Sequence, residues 1–381
     1  MTSALPRLLQ LNELVAKKSI FLFGPRATGK SFLIRQQLSA AHLVDLLDAD
    51  VFGRLARRPK LLGEEVREDQ RVVVVDEVQK LPALLDEVHR LIESRGLRFV
   101  LTGSSVRKLM HGGANLLGGR AWRAALFPLC SREIPNFDLI TYLNRGGLPS
   151  ILLSEHAREE LRSYTNLYLR EEIKAEALVR KVDQFARFLD VVALGNGEEL
   201  NFQGISSDTG IPASTVQNYL QILEDTLLGF ALPPFGATKK RKAITRSKFF
   251  LFDVGVAGAL ASRGEVLPRS ELFGRAFEHF ILLELRAYLA YRRRDEPLQY
   301  WRSTSGFEVD IIVGNTLAIE CKAADLVSER DLKGLKALGE EGLVKDFAIV
   351  SLDPQRRTVA GVKVYPWAQF LDDLWSDRLL G

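Results

Sequence analysis

Short apolar runs that end in small or acidic residues recur along the first third of the chain. Ser19-Ile20-Phe21-Leu22-Phe23, Arg71-Val72-Val73-Val74-Val75 and Leu97-Arg98-Phe99-Val100-Leu101 read as strands, and the four-valine run has the β-branched character of a strand buried on both faces. A further apolar strand is expected over Ala124 to Leu129, and Phe32 to Leu38 has a helical pattern. From Pro135 to Phe188 the period is helical throughout, broken by Arg145-Gly146-Gly147-Leu148-Pro149. Leu161, Tyr164, Leu167 and Tyr168 repeat there at helical spacing and read as core. Beyond Glu198 the pattern predicts a short helix over Gln203 to Thr209, a turn at Gly210-Ile211-Pro212 and a second helix over Ser214 to Asp225. The last third opens with an amphipathic helix, Phe273 to Tyr291. Strands over Leu298 to Arg302, Phe307 to Val313 and Leu317 to Lys322 follow, the last two joined at Gly314-Asn315-Thr316.

At 381 residues the chain suits two to four domains. Its 46% hydrophobic and 26% charged content describes a globular protein with real cores. The net charge of +4 is too small for a global field, so a nucleic-acid partner would need a local basic patch. Cys130 and Cys321 lie far apart without metal-ligand spacing, which excludes a disulfide framework and favours a reducing cytoplasm. Met1 to Lys18 lacks the continuous apolar core of a secretory signal, and no apolar run is long enough to span a membrane.

The first strand runs into Gly24-Pro25-Arg26-Ala27-Thr28-Gly29-Lys30-Ser31, a G-x-x-x-x-G-K-S loop followed by the helical pattern. Backbone N–H groups of such a loop wrap phosphates, and the helix N-terminus adds favourable partial charge. Lys30 is placed to reach the β- and γ-phosphates of ATP, and Ser31 to ligate Mg2+. The valine strand ends in Asp76-Glu77, with Asp76 expected in the Mg2+ shell and Glu77 polarising the attacking water. Thr102-Gly103-Ser104-Ser105 offers small hydroxyls, Ser104 first among them, that either sense the γ-phosphate or cap a helix beginning at Val106.

The second helix of the middle region carries Val216, Leu220 and Leu223 on one face and Ser214, Thr215, Gln217 and Asn218 on the other. That is a helix-turn-helix pattern with a polar reading face. Lys239-Lys240-Arg241-Lys242 and Arg246 beyond it would form a basic wing suited to DNA phosphates. The other reading is a winged helix used only for packing against protein.

In the last third, alternation puts Glu308 and Asp310 on one face of their strand and Glu320 and Lys322 on one face of the next. If register aligns those faces, Asp310, Glu320 and Lys322 converge, and Glu278 from the helix completes an oxygen shell for a hard divalent cation. Such an ion activates water against a phosphodiester, with Lys322 steadying the nucleophile. The plain alternative is a hairpin whose charges face solvent.

These motifs together resemble the prokaryotic AAA-type ATPases that carry a C-terminal domain of unknown function (the 4143 group). The resemblance rests on Gly24–Ser31, Val72–Glu77 with Gln79-Lys80, Leu101–Ser105 and Gly118-Gly119-Arg120. It extends through Phe127-Pro128-Leu129, Gly146–Pro149, Phe250–Gly255, Phe277-Glu278 and Glu308-Val309-Asp310 to Lys322, essentially the whole chain. The C-terminal part of that family looks like the PD-(D/E)XK nucleases, although Val309 stands where that superfamily's name expects proline. The resemblance implies Mg2+-dependent ATP binding and hydrolysis and a connection with DNA. AAA-type ATPases carry the arginine finger at this place, Arg120 first and Arg123 second, and an in-trans role for it would require a homo-oligomer in which it meets a neighbour's γ-phosphate. A surface arginine or a cation–π partner of Trp122 is the alternative for those residues.

The expected fold is therefore α/β. It comprises a P-loop ATPase core with a parallel sheet (1–135), a helical lid (136–195), a winged helix-turn-helix (196–248) and an α/β restriction-endonuclease-like domain (249–381). Three functions compete: an ATPase coupled to a nuclease, an ATP-dependent DNA-binding switch with a silent nuclease fold, and a signalling ATPase that docks proteins. Asp253-Val254-Gly255 is expected to be structural, a tight strand-to-helix turn.

Overall fold

The computed structural model describes residues 5–103, 117–168 and 181–380. Two compact units divide it, one of residues 1–129 with 225–228 and the other of residues 130–224 with 229–381.

The first unit is built on five parallel strands, β1 (Ser19–Phe23), β2 (His42–Asp45), β3 (Val72–Asp76), β4 (Arg98–Gly103) and β5 (Ala121–Ala125), in the order β2-β3-β4-β1-β5. Its helices are α1 (Leu11–Lys17), α2 (Lys30–Gln37), α3 (Ala49–Arg57), α4 (Leu61–Glu65) and α5 (Leu84–Arg95). All five residues of β1 are buried, as is required of a central parallel strand covered on both faces. Phe21, Phe23, Val73, Val75, Phe99 and Leu101 pack with Val88 and Leu91 of α5 in one core. Strand β5 begins at Ala121, earlier than the sequence predicts, so Trp122 and Arg123 lie within it. It is an edge strand whose five residues are at best half-buried, which blurs the apolar signal used to find it.

The second unit opens with α6 (Leu139–Arg145), α7 (Pro149–Leu152), α8 (Ala157–Ser163) and α9 (Val182–Leu194). The predicted helix pair follows as α10 (Phe202–Thr209) and α11 (Ala213–Asp225), with Gly210 left-handed (φ 67°) in the turn between. Strands β6 (Gly229–Leu232) and β7 (Lys248–Leu251) form a two-stranded antiparallel sheet, and the basic residues 239–242 lie in the connection between them. Helix α12 (Val254–Leu260) starts at Asp253, whose carboxylate accepts the N–H groups of Gly255 and Val256 and also that of Gly147, 2.7 Å away. Asp253 is thus the structural cap expected of it, and burial pushes its carboxyl up to about 6.

Helix α13 (Glu271–Tyr291) lies beside a six-stranded mixed sheet of order β12-β13-β11-β10-β9-β8. Its strands are β8 (Leu298–Arg302), β9 (Glu308–Val313), β10 (Leu317–Lys322), β11 (Asp346–Ser351), β12 (Arg357–Val359) and β13 (Val362–Pro366), with α14 (Lys333–Gly339) and α15 (Trp367–Trp375) completing the unit. Among the described residues no helix is long and apolar enough to cross a membrane.

Candidate functional site

The G-x-x-x-x-G-K-S loop leaves β1 and enters α2, and its backbone takes conformations that few residues adopt freely. Ala27 has φ 62° and Gly29 φ 93°. A Cβ on Gly24 would stand 2.6 Å from the Leu126 carbonyl oxygen, so only glycine fits there. Thr28 is buried, and its hydroxyl donates to the Pro25 carbonyl at 2.8 Å. The Lys30 ammonium curls under the loop and donates to the Gly24 and Pro25 carbonyls at 2.7 and 3.1 Å.

The two acids at the end of β3, Asp76 within it and Glu77 just beyond, are held by named partners. The Ser31 hydroxyl donates to Asp76 Oδ2 at 3.1 Å, and the Thr102 hydroxyl donates to Asp76 Oδ1. Thr102 also accepts the Glu77 backbone N–H at 3.1 Å, so one hydroxyl from β4 ties both acids. Glu77 is left-handed (φ 57°), an uncommon state for a residue with a Cβ and one that concentrates at functional sites. Gln79 donates a side-chain hydrogen bond to Glu77 Oε2. The structure therefore brings Lys30, Ser31, Asp76 and Glu77 together. Ser104 lies outside the described residues. A glycine-walled cradle, a lysine beneath it and a hydroxyl–carboxylate pair beside it fit a nucleotide phosphate chain with its Mg2+.

Two partners of this site escaped the sequence pattern. Arg7, almost fully buried, donates to the Thr28 carbonyl at 2.6 Å and to the Phe127 carbonyl at 2.7 Å. It clamps the phosphate loop to the segment after β5, and nothing in its sequence neighbourhood announces that role. Thr102 was visible as a small hydroxyl at a strand end, but not as the group that links Asp76 to Glu77. Arg120 sits immediately before β5, ion-paired with Glu93 of α5 and 38% exposed.

In the second unit, β9 and β10 pair antiparallel from Leu317↔Val313 to Ile319↔Ile311. Where that ladder ends, Asp310 Oδ2 accepts the Cys321 N–H at 2.8 Å. Lys322 Nζ contacts Glu320 Oε1 at 2.6 Å, while Glu320 Oε2 is buried with no hydrogen-bond partner. Asp310, Glu320 and Lys322 thus converge as alternation predicts, rather than facing solvent. Burial pushes the Asp310 carboxyl up, and burial with the Asp310 charge pushes Glu320 well above the usual carboxylate range.

Glu278 reaches this cluster from α13, but it already has a cation. Lys248 of β7 lies 3.1 Å from Glu278 Oε1 and 2.8 Å from Glu308 Oε1. Burial disfavours the Lys248 charge, but Glu278, Asp310 and Glu308 outweigh that and hold its pKa well above the usual lysine range. Glu278 rises to about 7, chiefly through burial and next through Asp310. Among the described residues, no three His, Cys, Asp or Glu side chains are disposed to hold a metal ion. The donor chemistry is that of a hard cation, but the arrangement does not fit the expected shell of Glu278, Asp310 and Glu320.

The basic connection between β6 and β7 is also engaged. The backbone N–H groups of Lys239, Lys240 and Arg241 all donate to the Glu341 carboxylate at 2.9 Å, and Arg241 pairs with Glu340 at 2.6 Å. On α11, Ser214, Gln217 and Asn218 are exposed and Thr215 half-buried, while Val216, Leu220 and Leu223 are buried, as their periodicity predicts.

A parallel sheet with a phosphate loop after β1 and paired acids after β3 defines a P-loop nucleotide-binding core. Residues 16–135 match the AAA domain family, residues 273–370 the Domain of unknown function (DUF4143), and residues 136–266 a second Domain of unknown function (DUF8612). An uncharacterized protein of Methanocaldococcus jannaschii is 22% identical, covering 93% of this chain and 85% of its own length. An uncharacterized protein of Haemophilus influenzae is 23% identical over 59% of this chain and 60% of its own length. Among solved structures, a Signal Transduction ATPase with Numerous Domains with a tetratricopeptide repeat sensor from Pyrococcus horikoshii aligns at 14% identity and TM-score 0.23. That alignment covers 77% of this chain and 48% of the other, so this chain spans about half the length of that structure.

Proposed function

We propose that this chain is a Mg2+-dependent ATP hydrolase whose nucleotide state switches the behaviour of the residues beyond 129. The observation that carries the reading is the bonded set Ser31–Asp76–Thr102–Glu77 beside the Lys30 cradle. Lys30 exchanges its loop carbonyls for β- and γ-phosphate oxygens, Ser31 and Asp76 hold Mg2+, and Glu77 orients the attacking water. An Mg2+ held by Ser31 and Asp76 would supply positive charge against the phosphates. Ser104 takes the γ-phosphate-sensing role. Thr102 holds the Glu77 backbone N–H and Gln79 donates to the Glu77 carboxylate, on a residue whose backbone is already left-handed.

Phosphate release from ATP and Mg2+ tests this directly. Lys30→Ala is expected to abolish turnover. Glu77→Gln is expected to keep nucleotide affinity while slowing hydrolysis by roughly 100-fold or more. Turnover that survives Lys30→Ala would sink the reading.

A second element of the proposal is DNA contact through α11, supported by its exposed Ser214, Gln217 and Asn218. The engagement of Lys239 to Arg241 by Glu340 and Glu341 favours instead a packing role for the loop. ATPase rates with single-stranded, duplex and branched DNA, with a cleavage gel on the same samples, separate the readings. Stimulation without cleavage supports a DNA-binding switch. Stimulation with Asp310-dependent cleavage supports a coupled nuclease. No response to any DNA supports a protein-docking signalling ATPase.

A further inference from the structure

Four carboxylates, Glu278, Glu308, Asp310 and Glu320, meet at the open end of the β9–β10 ladder in the second unit. Their cations come from two directions. Lys322 lies on the same strand as Glu320, and its pairing with Glu320 Oε1 was readable from alternation. Lys248 arrives from β7, outside the helix-and-hairpin frame that carries the acids, and only 5% of it is exposed.

The position of Lys248 is built rather than incidental. Its backbone is fixed by pairing with Leu232 of β6 and by a bridge to Glu199. Its ammonium lies 5.2 Å from the centre of the Tyr300 ring, and the Tyr300 hydroxyl donates to the Arg246 carbonyl at 2.5 Å, two residues before Lys248. From there the ammonium bridges Glu278 at 3.1 Å and Glu308 at 2.8 Å. Arg302 approaches the other oxygen of Glu308 at 3.7 Å. The helix glutamate that would complete a metal shell is therefore already neutralised. A divalent ion bound to it would have to sit beside a fixed positive charge.

The cluster is still short of cations, however. Glu320 Oε2 is buried without a donor, and Lys248, Lys322 and Arg302 are three cations for four carboxyl groups. Such a cluster would attract a divalent cation if the ammonium left.

We propose that Lys248 fills the cation position of this carboxylate cluster, so that the second unit holds an internal ammonium in place of a divalent metal, and that removing Lys248 opens the cluster to one. The strand β7 is thereby tethered to α13 and β9 by charge. The inference stands on this geometry alone and is independent of nucleotide hydrolysis.

The test is Mn2+ binding by the full chain carrying Asp76→Asn, which disables the hydroxyl–carboxylate pair beside the phosphate loop. The titration is run without nucleotide and followed by the electron paramagnetic resonance signal of the free ion. With Lys248 present, no Mn2+ whose binding depends on Glu320 is expected. Lys248→Met is expected to gain one Mn2+ site that the chain with Lys248 lacks, and adding Asp310→Asn should remove it. Mn2+ bound with Lys248 intact and lost in Glu320→Gln would overturn the proposal. So would a folded Lys248→Met that gains no ion. If Lys248→Met does not fold, Lys248→Gln, which removes the charge but keeps a donor for Glu278 and Glu308 and leaves all four carboxyl groups in place, is titrated instead, and the same gain or its absence decides. Failure here leaves the nucleotide reading untouched, because every sample lacks Asp76.

Discussion

Arg7 gives up nearly all its contact with water to donate to two main-chain carbonyls, one of them inside the phosphate loop. Charged donors to carbonyls contribute more than neutral ones, about 1.5–3 kcal/mol each where desolvation is compensated. Arg7→Met is therefore expected to lower stability by about 2 kcal/mol and to weaken nucleotide binding by loosening Thr28. Thermal melting and titration with a fluorescent ATP analogue read the two effects separately, and unchanged affinity would refute the positioning role. His279 illustrates the opposite economy in the second unit. Its Nε2–H donates to the Leu251 carbonyl at 2.7 Å, and Nδ1 accepts from the Asn196 amide at 3.3 Å, so both nitrogens are satisfied only in the neutral ring. Burial, aided by the Arg263 charge, pushes its pKa down from 6.5 to about 4. Between those values the unfolded chain binds a proton that the folded one does not. The stability contribution is complete above pH 6.5 and is lost as pH falls towards 4, on the order of 3 kcal/mol in all. His279→Gln is expected to flatten that part of the stability curve in denaturant unfolding at stepped pH. An unchanged slope would assign the acid sensitivity elsewhere.

At the scale of elements, the loop at 239–241 shows what a charge run leaves out. Four basic residues in a row predict a solvated or DNA-facing wing, yet three consecutive N–H groups there converge on Glu341, about a hundred residues further along the chain. Glu341→Ala is expected to speed amide exchange at Lys239, Lys240 and Arg241 by about tenfold. Neutralising Lys239 and Lys242 should leave those amides as they are. Exchange that ignores Glu341 would return the loop to the role of a free basic wing. Elements whose signal is local were legible in the sequence. The β1 strand, the phosphate loop, the paired acids after β3, the α10–α11 pair and the β9–β10 hairpin fall within a residue or two of expectation, because alternation, helical period and glycine placement encode them. What stayed hidden is long-range pairing. Arg7 meets Phe127, in the segment after β5, across 120 positions, and Lys248 meets Glu308 across sixty. No period or motif carries such information, because it exists only once the chain has folded. The edge strands β2 and β5 were missed or shifted for a different reason: half-exposed edges do not produce the apolar run that marks a central strand.

At the scale of the molecule, the first unit brings together the residues of the proposed hydrolytic set, and its arginines bear on whether such a set would work alone. Arg120 stands just before β5, ion-paired with Glu93 within the same unit. An exposed pair of this kind contributes little to stability, so stability alone gives little reason for an arginine there. A guanidinium offered to a neighbouring subunit's γ-phosphate supplies transition-state charge worth about 10³–10⁵ in rate where such fingers operate. If Arg120 acts in that way, specific ATPase activity rises with protein concentration as subunits assemble, and Arg120→Ala removes the rise while nucleotide affinity persists. Arg123, which lies within β5, should tolerate alanine with the concentration dependence intact. Constant specific activity across a wide dilution series, measured with sedimentation to establish that assembly changes over that range, would confine Arg120 to its pair with Glu93 and make the unit a self-sufficient switch.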